Sequence, residues 1–252
     1  MALYRDQGVV LRSIKLGETD RIITMLTRGN GKVRAVAKGV RKPGSRFGAR
    51  LEPTSHIAFQ CYRGRELDIV TQVETIDANR ALREHYGSLT HAVSMLEAAD
   101  QVALEREPNH ALYRMLESAL RTLAREPSPI VSAAFFWKLL SLEGFHPMLD
   151  ACARCGRASA DASEGGDEDA APVPFVAFDL GEGGVLCADC AHGGGRRTSV
   201  EALGVVRRIV GGQVRGVLDD PPPGAVLREV ERLGISALEY ASDRRLRSAA
   251  LL

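Results

Sequence analysis

Gly8-Val9-Val10-Leu11-Arg12-Ser13-Ile14, Arg21-Ile22-Ile23-Thr24-Met25-Leu26-Thr27 and Lys32-Val33-Arg34-Ala35-Val36-Ala37-Lys38 follow one another near the start of the chain. Each run is short and alternates with a period of two, which predicts strands and not helices. Between the second and third, Arg28-Gly29-Asn30-Gly31 offers Gly and Asn for the positive φ values of a tight hairpin. Two more runs, His56 to Tyr62 and Glu66 to Glu74, repeat the pattern. Five strands in so short a span suit a small closed barrel of the OB type, because closure leaves no exposed edge.

From Ala81 the period becomes that of a helix, with Leu82, Tyr86, Leu89, Val93 and Leu96 on one face. Ala111, Leu112, Met115, Leu116, Ala119, Leu120 and Leu123 form a second apolar stripe, which Pro127 and Pro129 end. A third helix, Ile130 to about Glu143, is apolar on most sides and stops at Gly144, as a central buried helix would. Helical spacing returns after Ser199, a candidate N-cap, through Val200, Leu203, Val206 and Ile209. Pro221-Pro222-Pro223 breaks it before a last helix through Val226, Val230, Leu233 and Ala237. The expected class is therefore α+β: an OB-type barrel over residues 1–80, a helical domain over 81–148 and 193–252, and a metal-binding module over 149–192 inserted in it.

That module is marked by Cys152-x2-Cys155 and Cys187-x2-Cys190. Each CxxC turn aims two thiolates at one point, and two such turns complete a tetrahedral shell with no open position, the pattern of a structural Zn2+ site. The stretch Ser159 to Pro174 between them is rich in Ala, Gly and acids, and is expected to be a mobile loop. Nothing at the N-terminus reads as a signal peptide and no apolar run is long enough to span a membrane, so a cytoplasmic location is expected, where thiols stay reduced and metal is favoured over disulfides. Cys61 is left over and reads as buried.

The net charge of +1 conceals an asymmetry: residues 1–80 hold fifteen Lys and Arg against eight Asp and Glu. Arg28, Lys32, Arg34, Lys38, Arg41, Lys42, Arg46 and Arg50 follow one another without an intervening acid. On the third strand, alternation sends Lys32, Arg34 and Lys38 to one face and Val33, Ala35 and Ala37 to the interior. Arg63 and Arg65, in the turn between the last two strands, extend the cations. A solvated basic surface is the ordinary reading of such a run. Here the cations repel one another unless an anion arrives, and the face of the second and third strands is where OB barrels bind nucleic acid. Phe47 and Tyr62 read equally as base-stacking or packing residues. No recognition helix for the major groove is visible, so backbone charge and not sequence is what such a surface would read. With about five phosphates engaged on a single strand, log K should fall against log salt with a slope of about −3.5.

Catalytic patterns are missing from the sequence. Gly31-Lys32 lacks the upstream glycine of a phosphate loop, neither CxxC follows a proline as in zinc deaminases, and the six histidines make no ligand pair. No catalytic residue is expected, and a hydrolase hidden in a metal-dependent cleft would need a carboxylate or histidine cluster that is not found. An RNA-binding or transcription-associated protein built from the same parts is the main rival to a DNA-binding one.

The order of these parts, with Leu139-Leu140-Ser141-Leu142-Glu143-Gly144-Phe145-His146-Pro147-Met148-Leu149 leading into Cys152-Ala153-Arg154-Cys155-Gly156, resembles the RecO family of bacterial recombination mediators. Gly8-Val9-Val10-Leu11, Gly17-Glu18-Thr19-Asp20-Arg21 and Gly39-Val40-Arg41-Lys42 resemble the same family. The resemblance implies a DNA repair protein without enzymatic turnover that binds single- and double-stranded DNA and anneals complementary strands. It implies RecR as a partner in loading RecA onto DNA covered by single-stranded DNA-binding protein (SSB), capture of the acidic SSB C-terminal tail, and association with the nucleoid. Lys138 and Phe145 are candidates for the tail pocket. The segment Tyr240 to Arg247, with Arg244, Arg245 and Arg247, reads as a solvated helix end more than as a second basic contact.

Overall fold

The computed structural model describes residues 2–45, 47–158 and 174–252. They form two compact units, Met1–Ser128 with Leu246–Leu252, and Pro129–Arg245.

The first unit is built on β1 (Leu3–Leu16), β2 (Asp20–Thr27), β3 (Gly31–Ala37), β4 (His56–Tyr62) and β5 (Asp68–Asp77), closed in the order β1-β2-β3-β5-β4. The expected barrel is thus present, with β1 and β5 longer than the alternation suggested. Its interior holds Val10, Ile23, Met25, Val33, Ala35, Ala37, Ile57, Phe59, Cys61 and Val70. Burial pushes the Cys61 thiol up to about 12, so it stays protonated. In the β2–β3 turn only Gly31 adopts positive φ (64°), not Asn30. The turn is fixed instead by Asp6, whose carboxylate accepts hydrogen bonds from the Gly29 N–H (3.0 Å) and Asn30 Nδ2 (2.7 Å). Gly31 has a second constraint, since a Cβ there would stand 2.1 Å from the Glu107 carbonyl oxygen.

The helices α1 (Arg80–Glu84), α2 (Tyr86–Val102) and α3 (His110–Arg125) belong to the same unit. The single helix expected from Ala81 is broken at His85, whose extended backbone lets its Nδ1 accept the Ser88 N–H and cap α2. The break re-phases the chain, leaving Tyr86 exposed and burying Ala92, Met95, Leu96 and Ala99. Downstream of α2, Leu104–Arg106 runs beside the first half of β3: the Lys32 N–H donates to the Leu104 carbonyl (3.1 Å) and the Arg106 N–H to that of Lys32 (3.0 Å). Asp68, fully buried, anchors this strap by accepting from Arg106 (2.8 Å), the Tyr4 hydroxyl (2.5 Å) and the Gly64 N–H (2.9 Å). Burial by itself would raise the Asp68 carboxyl, but these three donors outweigh it and hold it below the usual carboxylate range.

The second unit comprises α4 (Pro129–Leu142), β6 (Phe175–Asp179), β7 (Gly184–Cys187), α5 (Ala188–Ala191), β8 (Arg196–Arg197), α6 (Val200–Val210), α7 (Val214–Asp219) and α8 (Gly224–Ser242). As its composition implies, α4 is buried along almost its whole length. Trp137 donates Nε1–H to the Val230 carbonyl of α8 (3.1 Å), and Gly234 makes the approach possible, since a Cβ there would lie 3.0 Å from that nitrogen. Ser199 caps α6 as expected, accepting the Ala202 N–H, and is itself held by the Glu229 carboxylate. The short α7 carries no periodic apolar signal in the sequence.

Candidate nucleic-acid interface and metal centre

The cations that are consecutive in sequence do not remain uncompensated in space. Lys32 Nζ lies 3.4 Å from Asp100 Oδ1 and donates to the Asp100 carbonyl at 2.6 Å. Arg12 reaches the other oxygen of the same carboxylate at 3.3 Å, and Arg34 faces Glu105 at 3.7 Å. Both acids come from the end of α2 and the strap that follows it, more than sixty positions along the chain. Lys32 and Arg34 therefore help dock that strap, and the expectation of an acid-free strand face is corrected.

Arg34 is itself exposed at mid-strand, and the other exposed candidate cations fall into two groups at opposite ends of β3, about 20 Å apart at the usual rise per residue. After the strand come Lys38, Arg41 and Lys42, on a loop folded back against the β1–β2 turn. The Arg41 N–H donates to the Thr19 carbonyl, its guanidinium to that of Glu18 (2.7 Å), and Asp20 accepts the Gly39 N–H (2.7 Å). The Gly39 N–H, the Thr19 hydroxyl and the nearby Lys38 and Lys42 hold the Asp20 carboxyl below its usual range. The Asp20 carboxylate thus sits beside these cations, its Oδ1 engaged by the Gly39 N–H and the Thr19 hydroxyl. Arg50 lies further along on the short 3-10 turn Gly48–Leu51 and is exposed. Arg46 lies outside the described residues. Before the strand come Arg28, Arg63 and Arg65, all exposed. Arg63 donates to Asn30 Oδ1 (2.8 Å) and lies over the Tyr4 ring.

The two aromatic candidates separate. Phe47 is 2% exposed and plugs the barrel with Leu51, so it packs and does not stack. Tyr62 is 41% exposed on the outer face of β4. Two histidines left without a role in the sequence have structural ones: His85 caps α2, and buried His56 pairs Nε2 with the Tyr113 hydroxyl at 2.7 Å.

The four cysteines converge. Their Sγ atoms all lie within 4.8 Å of one another, with Cys155 and Cys187 3.8 Å apart. A tetrahedral ion with metal–sulfur bonds near 2.3 Å requires sulfurs about 3.8 Å apart, so the donor set fits such an ion. Cys152 and Cys155 sit on a turn closed by the Gly156 N–H donating to the Cys152 carbonyl, with Gly156 at φ 73°. Cys187 ends β7, and Cys190 follows on α5. Arg154 joins the two turns, donating to the Cys190 carbonyl (2.8 Å) and to Asp179 (3.0 Å). Hydrogen bonding from Arg157 brings the Cys155 thiol down to about 6, whereas burial and the neighbouring sulfurs push Cys190 up to about 12. Were all four deprotonated so close together, a cation would be needed to share their charge. The acidic residues 159–173, expected to be a loop, lie outside the described residues.

Of the residues considered for a protein tail, Phe145 is exposed and lines a cleft of about 500 Å³ with Leu140, Met148, Phe178 and Tyr240. Lys138 is not among its lining residues. The C-terminal arginines follow α8, which ends at Ser242 with Asp243 in the left-handed region. The Arg247 N–H donates to the Glu97 carboxylate, within the first unit.

Comparison with known families matches both parts of the chain. A model described as the recombination protein O N terminal covers residues 1–79, and one for the recombination protein O C terminal covers residues 83–250. The chain belongs to the RecO family. Members of that family are DNA repair and recombination mediators, which accords with a basic barrel joined to helices and a cysteine cluster. No helix among the described residues is long and apolar enough to cross a membrane.

Proposed function

We propose that this RecO protein is a non-enzymatic mediator that binds single- and double-stranded DNA by its backbone, anneals complementary strands, and with RecR loads RecA onto SSB-covered DNA. The observation that carries this reading is the family match over both parts of the chain, joined to a barrel whose exposed loop presents Lys38, Arg41 and Lys42 beside the engaged carboxylate of Asp20. Of the DNA-contacting residues expected from sequence, these three with Arg28, Arg50, Arg63 and Arg65 are exposed at the surface, and Arg46 is retained from its place in the sequence alone. Lys32 contributes chiefly by holding the strap, whereas Arg34 is exposed and pairs with an exposed Glu105.

The division of labour proposed is DNA contact in residues 1–80, support and partner contact in 81–148 and 193–252, and a metal module in 149–192. Zn2+ held by Cys152, Cys155, Cys187 and Cys190 would fix the two turns and supply no reaction, since four protein ligands leave no open position. For the SSB tail, which ends in an apolar residue and a carboxylate, Phe145 offers an apolar contact, but its cleft is lined by Glu182 and by no Lys or Arg that would meet the carboxylate. Action on DNA puts the protein in the cytoplasm, at the nucleoid.

Strand annealing measured with and without SSB tests DNA contact and partner contact together. Annealing of complementary DNA in both conditions is expected. No annealing, together with a wide preference for single-stranded RNA over DNA in competition, would favour the RNA-binding alternative.

A further inference from the structure

Strand β4 lies across the closed barrel from β2 and β3, and its outward side chains form a second surface. The register with β1 and β5 sets three outward rungs: Gln7, Ala58 and Glu74; Arg5, Gln60 and Gln72; and Leu3, Tyr62 and Ile69. Ala58 is small between two long neighbours, and it floors a cleft of about 440 Å³ walled by Arg5, Asp6, Gln7, Gln60, Gln72 and Glu74, in which Arg5 Nε donates to Gln60 Oε1 at 2.9 Å and leaves the rest of its guanidinium to a ligand. Arg28 reaches the rim of this cleft from the β2–β3 turn. Tyr62 stands two residues beyond Gln60 on the same face, about 7 Å along the strand.

This combination has a chemistry. Three amides offer paired donors and acceptors, the carboxylate of Glu74 accepts from exocyclic amino groups, and these are the groups that meet base edges. An exposed tyrosine ring offers a stacking platform for an unpaired base, and Arg5 and Arg28 offer guanidinium groups for phosphate. A duplex hides the faces of its bases, so the matching ligand is a single strand with its bases turned toward the barrel. A peptide adding as a strand has no edge to join, because the barrel is closed.

We infer that the β1–β4–β5 face is a second nucleic-acid site that holds one single strand by its bases while the loop after β3 holds another by its backbone. The inference rests on the DNA-binding reading above and deepens it, because one barrel then carries both partners of an annealing pair. The strand on the loop keeps its bases free to pair. The strand on the far face is held by few contacts, which complementary pairing can displace.

The test is the number of short oligothymidylates bound per chain, read by native mass spectrometry at low salt, where oligothymidylate strands cannot pair with each other. The wild-type chain should bind two. Y62A combined with Q60A and Q72A should keep the first within about twofold and weaken the second about tenfold or more, the loss expected for one stacked base. K38A/R41A/K42A should lose the other strand. Retention of the first oligonucleotide shows that the β4 variant is folded, and an independent arm uses 4-thiothymidine photo-cross-linking on the unaltered protein. Cross-links are expected in residues 56–62 and 72–74 as well as in the loop. A single bound strand on the wild type, two on the β4 variant with unchanged affinity, or cross-links confined to residues 38–50 would each overturn the second site while leaving DNA binding standing. No binding by the wild type would remove both.

Discussion

The sharpest consequence of the structure concerns salt. On the strand face Lys32 and Arg34 are matched by Asp100 and Glu105, whereas Lys38, Arg41 and Lys42 project from the loop beside the engaged carboxylate of Asp20. Each phosphate neutralised on a single strand contributes about −0.7 to the slope of log K against log salt. If about five phosphates are engaged the wild-type slope is about −3.5, and K38A/R41A/K42A should bring it to about −1.4. Between 50 and 200 mM salt the wild type would then weaken by about 130-fold and the variant by only about 7-fold. K32A/R34A should alter the slope by less than about 0.7, and instead destabilise the first unit by about 1 kcal/mol through loss of the Lys32 bond to the Asp100 carbonyl. Fluorescence anisotropy of a labelled oligothymidylate at stepped salt, with a denaturant melt of each variant, reads both quantities. The reasoning fails if the loop variant keeps the wild-type slope, or if K32A/R34A flattens it as much as the loop variant does.

Metal analysis should find one zinc per chain, and chelation or Cys187→Ala should unfold the two turns, seen as a fall in melting temperature of the second unit and loss of protease resistance near residue 187. Asp68→Asn should cost about 3 kcal/mol, because it leaves Arg106 facing a neutral amide and disturbs a buried set of donors. Since the folded-state value of the Asp68 carboxyl is depressed, its contribution is complete above about pH 4 and is lost as pH falls through that lower value. An acid titration of stability should therefore be shallower in the variant over that window. Gly234→Val should push Trp137 away from α8 and cost about 1–3 kcal/mol, with a shift in tryptophan fluorescence marking the lost hydrogen bond to Val230.

Much of the architecture was legible from local pattern. Alternation in β2, β3 and β4 reports a barrel wall because every second side chain must enter the core, and two CxxC turns report a candidate metal site because the spacing aims the sulfurs. The apolar α4 announces its own burial. Tyr86 was misread because His85 breaks the helix, and a side-chain cap is invisible to a periodicity that runs through it. Asp68 gave no signal either, since its partners Tyr4 and Arg106 are distant in sequence.

By itself, then, the chain determined the barrel strands and the longer helices, where the cysteines gather, and that its first third carries surplus positive charge. Only the tertiary structure decided which charges are available. An ion pair such as Lys32 with Asp100 joins residues from a strand and a helix that meet only after folding. Local spacing governs what a segment becomes, but electrostatic neutralisation depends on distance through space, and that distance is set when the strap closes against β3.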